Sequence, residues 1–367
     1  MVKNIMQKTI TPHKPAFILS PNIQGKGLLA PRGVCACCDI LAVSDTGQNR
    51  VFIWKNFSYL ENKEPDVVLG QDDFSGTGRN TGADVNASSL QYPSGIWTDG
   101  QKLVVADAWN HRVLIWHSLP TQNGQPADVV VGQKDFESNQ PNVEGLSKLP
   151  SAQSLYWCYG VTSDGKSLWI ADTGNRRVLF YNKIPTENFA AADKVIGQNS
   201  FEERDYDHNN AIWPYSVKLS INGTLAITDT QYYRVLIWKN KEDAFTKQAD
   251  IILGQKDFES NGQNQYRSLP AANTLNWCYD SCFFRNGIFV TDTGNSRILH
   301  WKKLPETNNA NADELFGQPN FEVNGETSLS MKAMAENEMY WAFAITTHQQ
   351  QLIVADTGNH RILFYNL

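Results

Sequence analysis

One twelve-residue segment recurs six times along the chain: VSDTGQNRVFIW (43–54), VADAWNHRVLIW (105–116), IADTGNRRVLFY (170–181), ITDTQYYRVLIW (227–238), VTDTGNSRILHW (290–301) and VADTGNHRILFY (354–365). Its marker aspartates, Asp45, Asp107, Asp172, Asp229, Asp292 and Asp356, stand 62, 65, 57, 63 and 64 residues apart. A unit of that size cannot bury its own apolar face, so the copies must stack on one another. In the second unit SGIWTD, KLVVAD, RVLIWH and ADVVVGQ read as four strands, inner to outer, by alternation and β-branched content. Six such units make a six-bladed β-propeller, all-β, with four-stranded antiparallel blades, and the whole of residues 1–367 forms a single domain.

In each segment the aspartate, a Gly/Asn-type turn and a following arginine set the hairpin. Asp and Asn bond local backbone, and Gly or Asn supplies positive φ. These aspartates read as structural, with an Asp–Arg pair across the turn. Five outer strands end in LGQDDF, VGQKDF, IGQNSF, LGQKDF and FGQPNF. The sixth blade stops at RILFYNL after its third strand, so its outer strand must come from elsewhere. AFILSPN (16–22) resembles ELFGQPN (314–320), which pairs residues 16–20 with the last blade and closes the ring without an exposed sheet edge.

The V-A-D-T-G-N-x-R-[VI] pattern, repeated over almost the whole chain, resembles the NHL-repeat family, and the Gly-Gln-x-x-Phe endings resemble a bacterial subset of it. The resemblance implies the six-bladed fold. It says much less about activity, because relatives include RNA binders, protein-interaction modules and a few enzymes.

Charge narrows the partners. The net charge is −6 and no basic block occurs, so no nucleic-acid partner is expected. No apolar run is long enough to span a membrane, and the start lacks a signal-peptide h-region, so a cytoplasmic protein with no membrane partner is expected. In that setting the six cysteines read as free thiols or ligands rather than disulfides. No HExxH, GxSxG or P-loop motif is present.

Departures from the repeat mark the candidate site. Fourteen residues before each marker aspartate, or fifteen in the fourth blade, stand Pro31, Pro93, Cys158, Pro214, Cys278 and Ala342. Proline suits a strand start, where its missing N–H is dispensable, and two blades replace it with cysteine. The flanking columns carry aromatic pairs in blades three to six: Trp157/Tyr159, Trp213/Tyr215, Trp277/Tyr279 and Trp341/Phe343, with Arg32 in the first blade. These positions sit at the mouth of the central channel. They either fill the wedges between blades or form an aromatic funnel for an apolar, cationic or sugar-like ligand. Linkers of 16 to 25 residues, from each Gly-Gln glutamine to the next strand start, gather on the same face.

Strand alternation places Cys278, Asp280 and Cys282 on one face, and Asp280 stands in a column otherwise Gly33, Gly95, Gly160, Ser216 and Ala344. A bound cofactor is not identified, but a soft metal or metalloid site would need Cys278 with Asp280 or Cys158, or Cys35 with Cys282 meeting across the channel. Plain structural thiols are the alternative.

Three functions are therefore open. The first is a binding module holding a small molecule or peptide at the aromatic and cysteine-lined mouth. The second is a lyase- or hydrolase-type enzyme with Cys278 or Cys158 as thiolate and Asp280 as acid/base, or a protein handling a soft metal through channel Cys and Asp. The third is a scaffold for a protein partner. The oligomeric state is not legible.

Overall fold

The computed structural model describes residues 13–21, 27–60, 64–204, 213–325 and 338–367. Its strands, β1 to β24 in chain order, form six four-stranded antiparallel sheets. The inner strands are β2 (Gly33–Cys37), β6 (Pro93–Thr98), β10 (Cys158–Ser163), β14 (Pro214–Leu219), β18 (Cys278–Phe284) and β22 (Ala342–His348). Each pairs with its own neighbour in sequence, and successive inner strands lie against one another around the central channel.

Closure follows the sequence expectation. Strand β1 (Phe17–Leu19) pairs antiparallel with β24 (Arg361–Asn366), Phe17 opposite Phe364 and Leu19 opposite Ile362. The N–H of Ala16 extends the ladder to the carbonyl of Phe364 at 2.7 Å. Leu19 is buried in a core cluster with Phe364, Ile353 and Val34, so the closing strand joins the sixth blade to the first.

The recurring motif resolves into one hydrogen-bond circuit per blade. The aspartate Oδ2 meets the Nε of the arginine five residues on, at 2.7 Å in Asp172–Arg177 and 2.9 Å in Asp229–Arg234. All six such pairs form, and the first five are fully buried. The other oxygen, Oδ1, accepts the backbone N–H sixteen residues upstream, where the chain enters the blade, as in Tyr156 to Asp172 at 2.7 Å. A desolvated carboxylate needs partners of this kind.

The Gly-Gln-x-x-Phe ending completes the circuit. In the first five blades the arginine donates to the phenylalanine carbonyl, as Arg112 does to Phe136 at 2.6 Å and Arg234 to Phe258 at 2.8 Å. The glutamine donates to the carbonyl of the left-handed turn residue, Gln133 to His111 at 3.1 Å and Gln255 to Tyr233 at 3.2 Å. The glycine is required: Gly132 has φ of 92°, and a Cβ there would stand 2.5 Å from the Leu155 side chain. The motif threonine ties blade to blade, since Thr173 donates to the Pro214 carbonyl at 2.7 Å and Thr230 to the Cys278 carbonyl at 2.6 Å. The second blade has Ala108 in this place, so the next seam lacks that hydroxyl.

Candidate functional site

Inner strands do not alternate from end to end. Five of them carry a register shift just after their first residue, between Cys158 and Gly160 in β10 and between Cys278 and Ser281 in β18. An extra residue at a bulge turns the side chains that follow. This corrects the expected common face. Cys278 points into the seam between the fourth and fifth blades, packed among Val235, Leu253 and Leu275, whereas Asp280 lines the channel.

Cys158 and Cys278 are fully buried. Cys158 Sγ donates to the carbonyl of Arg112 at 3.2 Å, and Cys278 Sγ to that of Arg234 at 3.5 Å. Burial pushes both thiols well above their ordinary range. The expectation that these cysteines lie inside the channel mouth is therefore overturned. They fill seams as small apolar donors, and a nucleophilic thiolate at either is opposed by its surroundings.

The residues after them do line the channel. Tyr159 stacks on Tyr215 with ring centroids 4.5 Å apart, Tyr215 meets Tyr279 edge-on at 4.6 Å, and Tyr279 stacks on Phe343 at 4.2 Å. Arg32 closes the array, its Cζ 3.8 Å from the Phe343 centroid and 5.2 Å from that of Tyr92. Burial lifts Tyr159 and Tyr279 to about 12, so both remain neutral phenols. This layer is a plug rather than an open funnel. The throat it borders encloses a cavity of about 20 Å³, room for about one water. The inner strands approach closely there: a Cβ on Gly160 would stand 2.6 Å from the Tyr215 carbonyl oxygen.

Asp280 replaces those small residues and bridges strands. Its Oδ2 accepts the N–H of Ile345 at 3.0 Å, and its Oδ1 accepts the N–H of Ser281 at 2.9 Å and lies 3.3 Å from Lys218 Nζ. Burial works against the Lys218 ammonium, but Asp280 together with the Cys282 and Cys35 thiols holds Lys218 above its ordinary value. Lys218, which sequence reasoning did not single out, thus makes the channel carboxylate a three-blade tie.

Cys35 and Cys282 act on each other and on Lys218, but each sulfur meets its own neighbour. Cys35 lies against the second blade, Sγ 4.0 Å from the Thr98 carbonyl, and Cys282 against the sixth, Sγ 3.5 Å from Thr347 Oγ1. Burial raises both thiols. Among the described residues no three His, Cys, Asp or Glu gather to hold a metal ion.

The tryptophan column stands above the plug, at the rim. Trp277 and Trp341 are 39% and 46% exposed, and Trp157 and Trp213 are half-buried. Tyr156 stacks on Trp157 at 4.6 Å, Tyr340 on Trp341 at 5.2 Å, and Tyr92 on Trp109 at 4.5 Å. Tyr233 meets Trp277 edge-on at 5.3 Å. Tyr156 and Tyr340 lie over turn glycines, whose missing Cβ makes their room: one on Gly174 would stand 2.3 Å from the Tyr156 ring. Trp109, Tyr156, Tyr233 and Tyr340 are rim members the sequence reading missed. Trp109 was visible as a tryptophan where four other blades have glycine.

The rim residues Tyr92, Trp157, Trp277 and Trp341 have φ between 47° and 56°, and Ala30 shares that conformation at 49°. The backbone shape therefore belongs to the fold. A bulky side chain there costs about 1–2 kcal/mol, which glycine would avoid. Neighbouring blades hold the bend, as where the Trp157 N–H donates to His111 Nδ1 at 3.2 Å. Residues 205–212 and 326–337, parts of two linkers, lie outside the described residues.

No family model matches the chain, and no curated protein matches it by sequence. The likeness to NHL repeats therefore rests on the motif. Among solved structures, an auxiliary nutrient binding protein from Bacteroides thetaiotaomicron is similar at 10% identity and a TM-score of 0.50, covering 92% of this chain and 69% of that one. The computationally designed Ika8 protein matches at 8% identity and a TM-score of 0.43, over 94% of this chain and 75% of that one. At such identity the first likeness concerns the fold alone, and with the six four-stranded sheets it makes the chain a six-bladed β-propeller.

Proposed function

We propose that this propeller is a binding module that holds a small molecule or peptide against the rim tryptophans on its linker face. The observation that carries this reading is the set of aromatic pairs around the mouth, with Trp277 and Trp341 left exposed at a backbone position that disfavours large side chains. Packing alone would not keep such residues half in water. Exposed, rigid aromatic faces suit ligands with flat or CH-rich surfaces, sugars among them. The throat admits about one water, so the ligand rests on the plug rather than entering the channel. A solved protein of this fold is named as a nutrient binding protein, so the architecture accommodates such a role.

The test is tryptophan emission titrated with a panel of neutral oligosaccharides and short peptides. A saturable shift is expected for at least one class. It should vanish in Trp277→Ala and Trp341→Ala, whose melting temperatures stay near that of the wild type. Saturable binding that survives both substitutions, or a panel with no response, overturns the reading.

A further inference from the structure

At the far end of the channel from the rim, β2 ends at Cys37, and Cys38 opens the turn into the next strand. The two sulfurs lie 3.6 Å apart. Cys38 is exposed and Cys37 half-buried, so reagents reach the pair from solvent. The turn does not need a cysteine. Its equivalents, all at positive φ, are Gly100, Gly165 and Gly223 in three blades, Arg285 and Gln349 in two, and Cys38 here at 55°. The next residue fixes the turn, since the Asp39 carbonyl accepts the Phe57 N–H at 2.9 Å. The pair is therefore held on a pinned hairpin.

Three chemistries can use two adjacent thiols, and geometry separates them. A disulfide needs Cα atoms about 4.4–6.8 Å apart, whereas neighbours across a trans peptide are held at about 3.8 Å. A tetrahedral zinc ion needs four ligands, and no group of three is present among the described residues. With sulfur bonds of about 2.3 Å, the observed separation subtends about 100° at a bound atom, while a linear two-coordinate ion would need sulfurs about 4.6 Å apart. A bent, pyramidal centre fits.

We infer that Cys37 and Cys38 form a dithiol chelation site for trivalent arsenicals. With a mono-organoarsenic(III) oxide, two S–H bonds break and two As–S bonds form. Both protons leave with the arsenical oxygen as water, and arsenic stays trivalent, so neither oxidant nor reductant is required. Burial, with the Cys38 thiol beside it, pushes Cys37 up to about 12. The pair thus meets its ligand as thiols, which suits a reaction that carries the protons away as water. Closing the second bond is intramolecular, which strengthens a chelate over a single thiol by roughly 10²–10⁴. This site is independent of the rim reading.

The experiment uses the full chain and phenylarsine oxide. Intact mass should show one adduct at equimolar probe, with loss of one water. Peptide mapping after alkylation should show Cys37 and Cys38 protected together, and a small dithiol should strip the adduct where an equal concentration of monothiol does not. Cys37→Ser and Cys38→Ser should each weaken binding at least about 100-fold, and Cys35→Ser and Cys282→Ser should leave it unchanged. Absence of the adduct, or protection of Cys35 and Cys282 in place of Cys37 and Cys38, overturns the proposal. The mapping reads out on wild-type protein, so the decision stands even if a variant fails to fold.

Discussion

The carboxylate of Asp280 accepts the backbone N–H of Ile345 at 3.0 Å, so a side chain of the fifth blade supplies a bond to the inner strand of the sixth. Its other oxygen faces Lys218 of the fourth blade. Replacing Asp280 with alanine strands both the N–H and the ammonium. Thermal and denaturant melts of Asp280→Ala should show a loss of about 2–4 kcal/mol. A melt unchanged from wild type would mean the channel tie is incidental.

Acid should weaken one seam through a histidine. Burial lowers His111 from 6.5 to about 4. Its Nδ1 accepts the Trp157 N–H, so protonation breaks that bond. The unfolded chain takes up the proton first, so the contribution is complete above about pH 6.5 and is lost as pH falls through about 4, to a limit of roughly 3 kcal/mol. His111→Asn keeps an acceptor, as Asn49 does for Tyr92 at 3.0 Å. Its stability should fall less than the wild type's over that window in a pH series of denaturant melts.

Gln133 is fully buried and donates to the carbonyls of His111 and Gln140. Gln133→Ala should cost about 1–3 kcal/mol by leaving those acceptors unmet. Ligand response at the rim should persist. A selective loss of binding with an intact melt would move the Gly-Gln-x-x-Phe motif from scaffold to site.

Truncation of residues 1–20 removes β1 and uncovers the edge of β24. Leu19 leaves the core, and Phe17 and Ile18 lose half-buried contacts. The stability loss should be at least about 3 kcal/mol, with aggregation through the open edge. Calorimetry and light scattering read both effects, and a truncated protein that behaves like the full chain would contradict closure by this strand.

Thiol reactivity should follow exposure. In native protein Cys38 should alkylate first, while Cys158 and Cys278 should react only on unfolding, since each is buried and donates to a carbonyl. Rapid native labelling of Cys278, followed by mass mapping, would restore the catalytic reading that its burial opposes.

Much of this was legible from residue order alone. Repetition of a hydrogen-bonding set, Asp, Thr, Asn and Arg at fixed offsets, specifies a blade because each bond in it is short in sequence or recurs in most copies. The missing sixth ending forced closure by residues 16–20 for the same reason. The faces of the inner strands were not legible. Alternation assumes unbroken register, and the shift after Cys278 inserts a residue that no local pattern announces. That shift sends Cys278 into a seam and leaves Tyr279 and Asp280 to the channel. Whether four aromatics make a funnel or a plug depends on how closely six strands converge, and that distance is set by the packing of whole blades. The Asp280–Lys218 contact and the 3.6 Å separation of the Cys37 and Cys38 sulfurs belong to the tertiary structure too, because strand register and side-chain rotamers place those atoms.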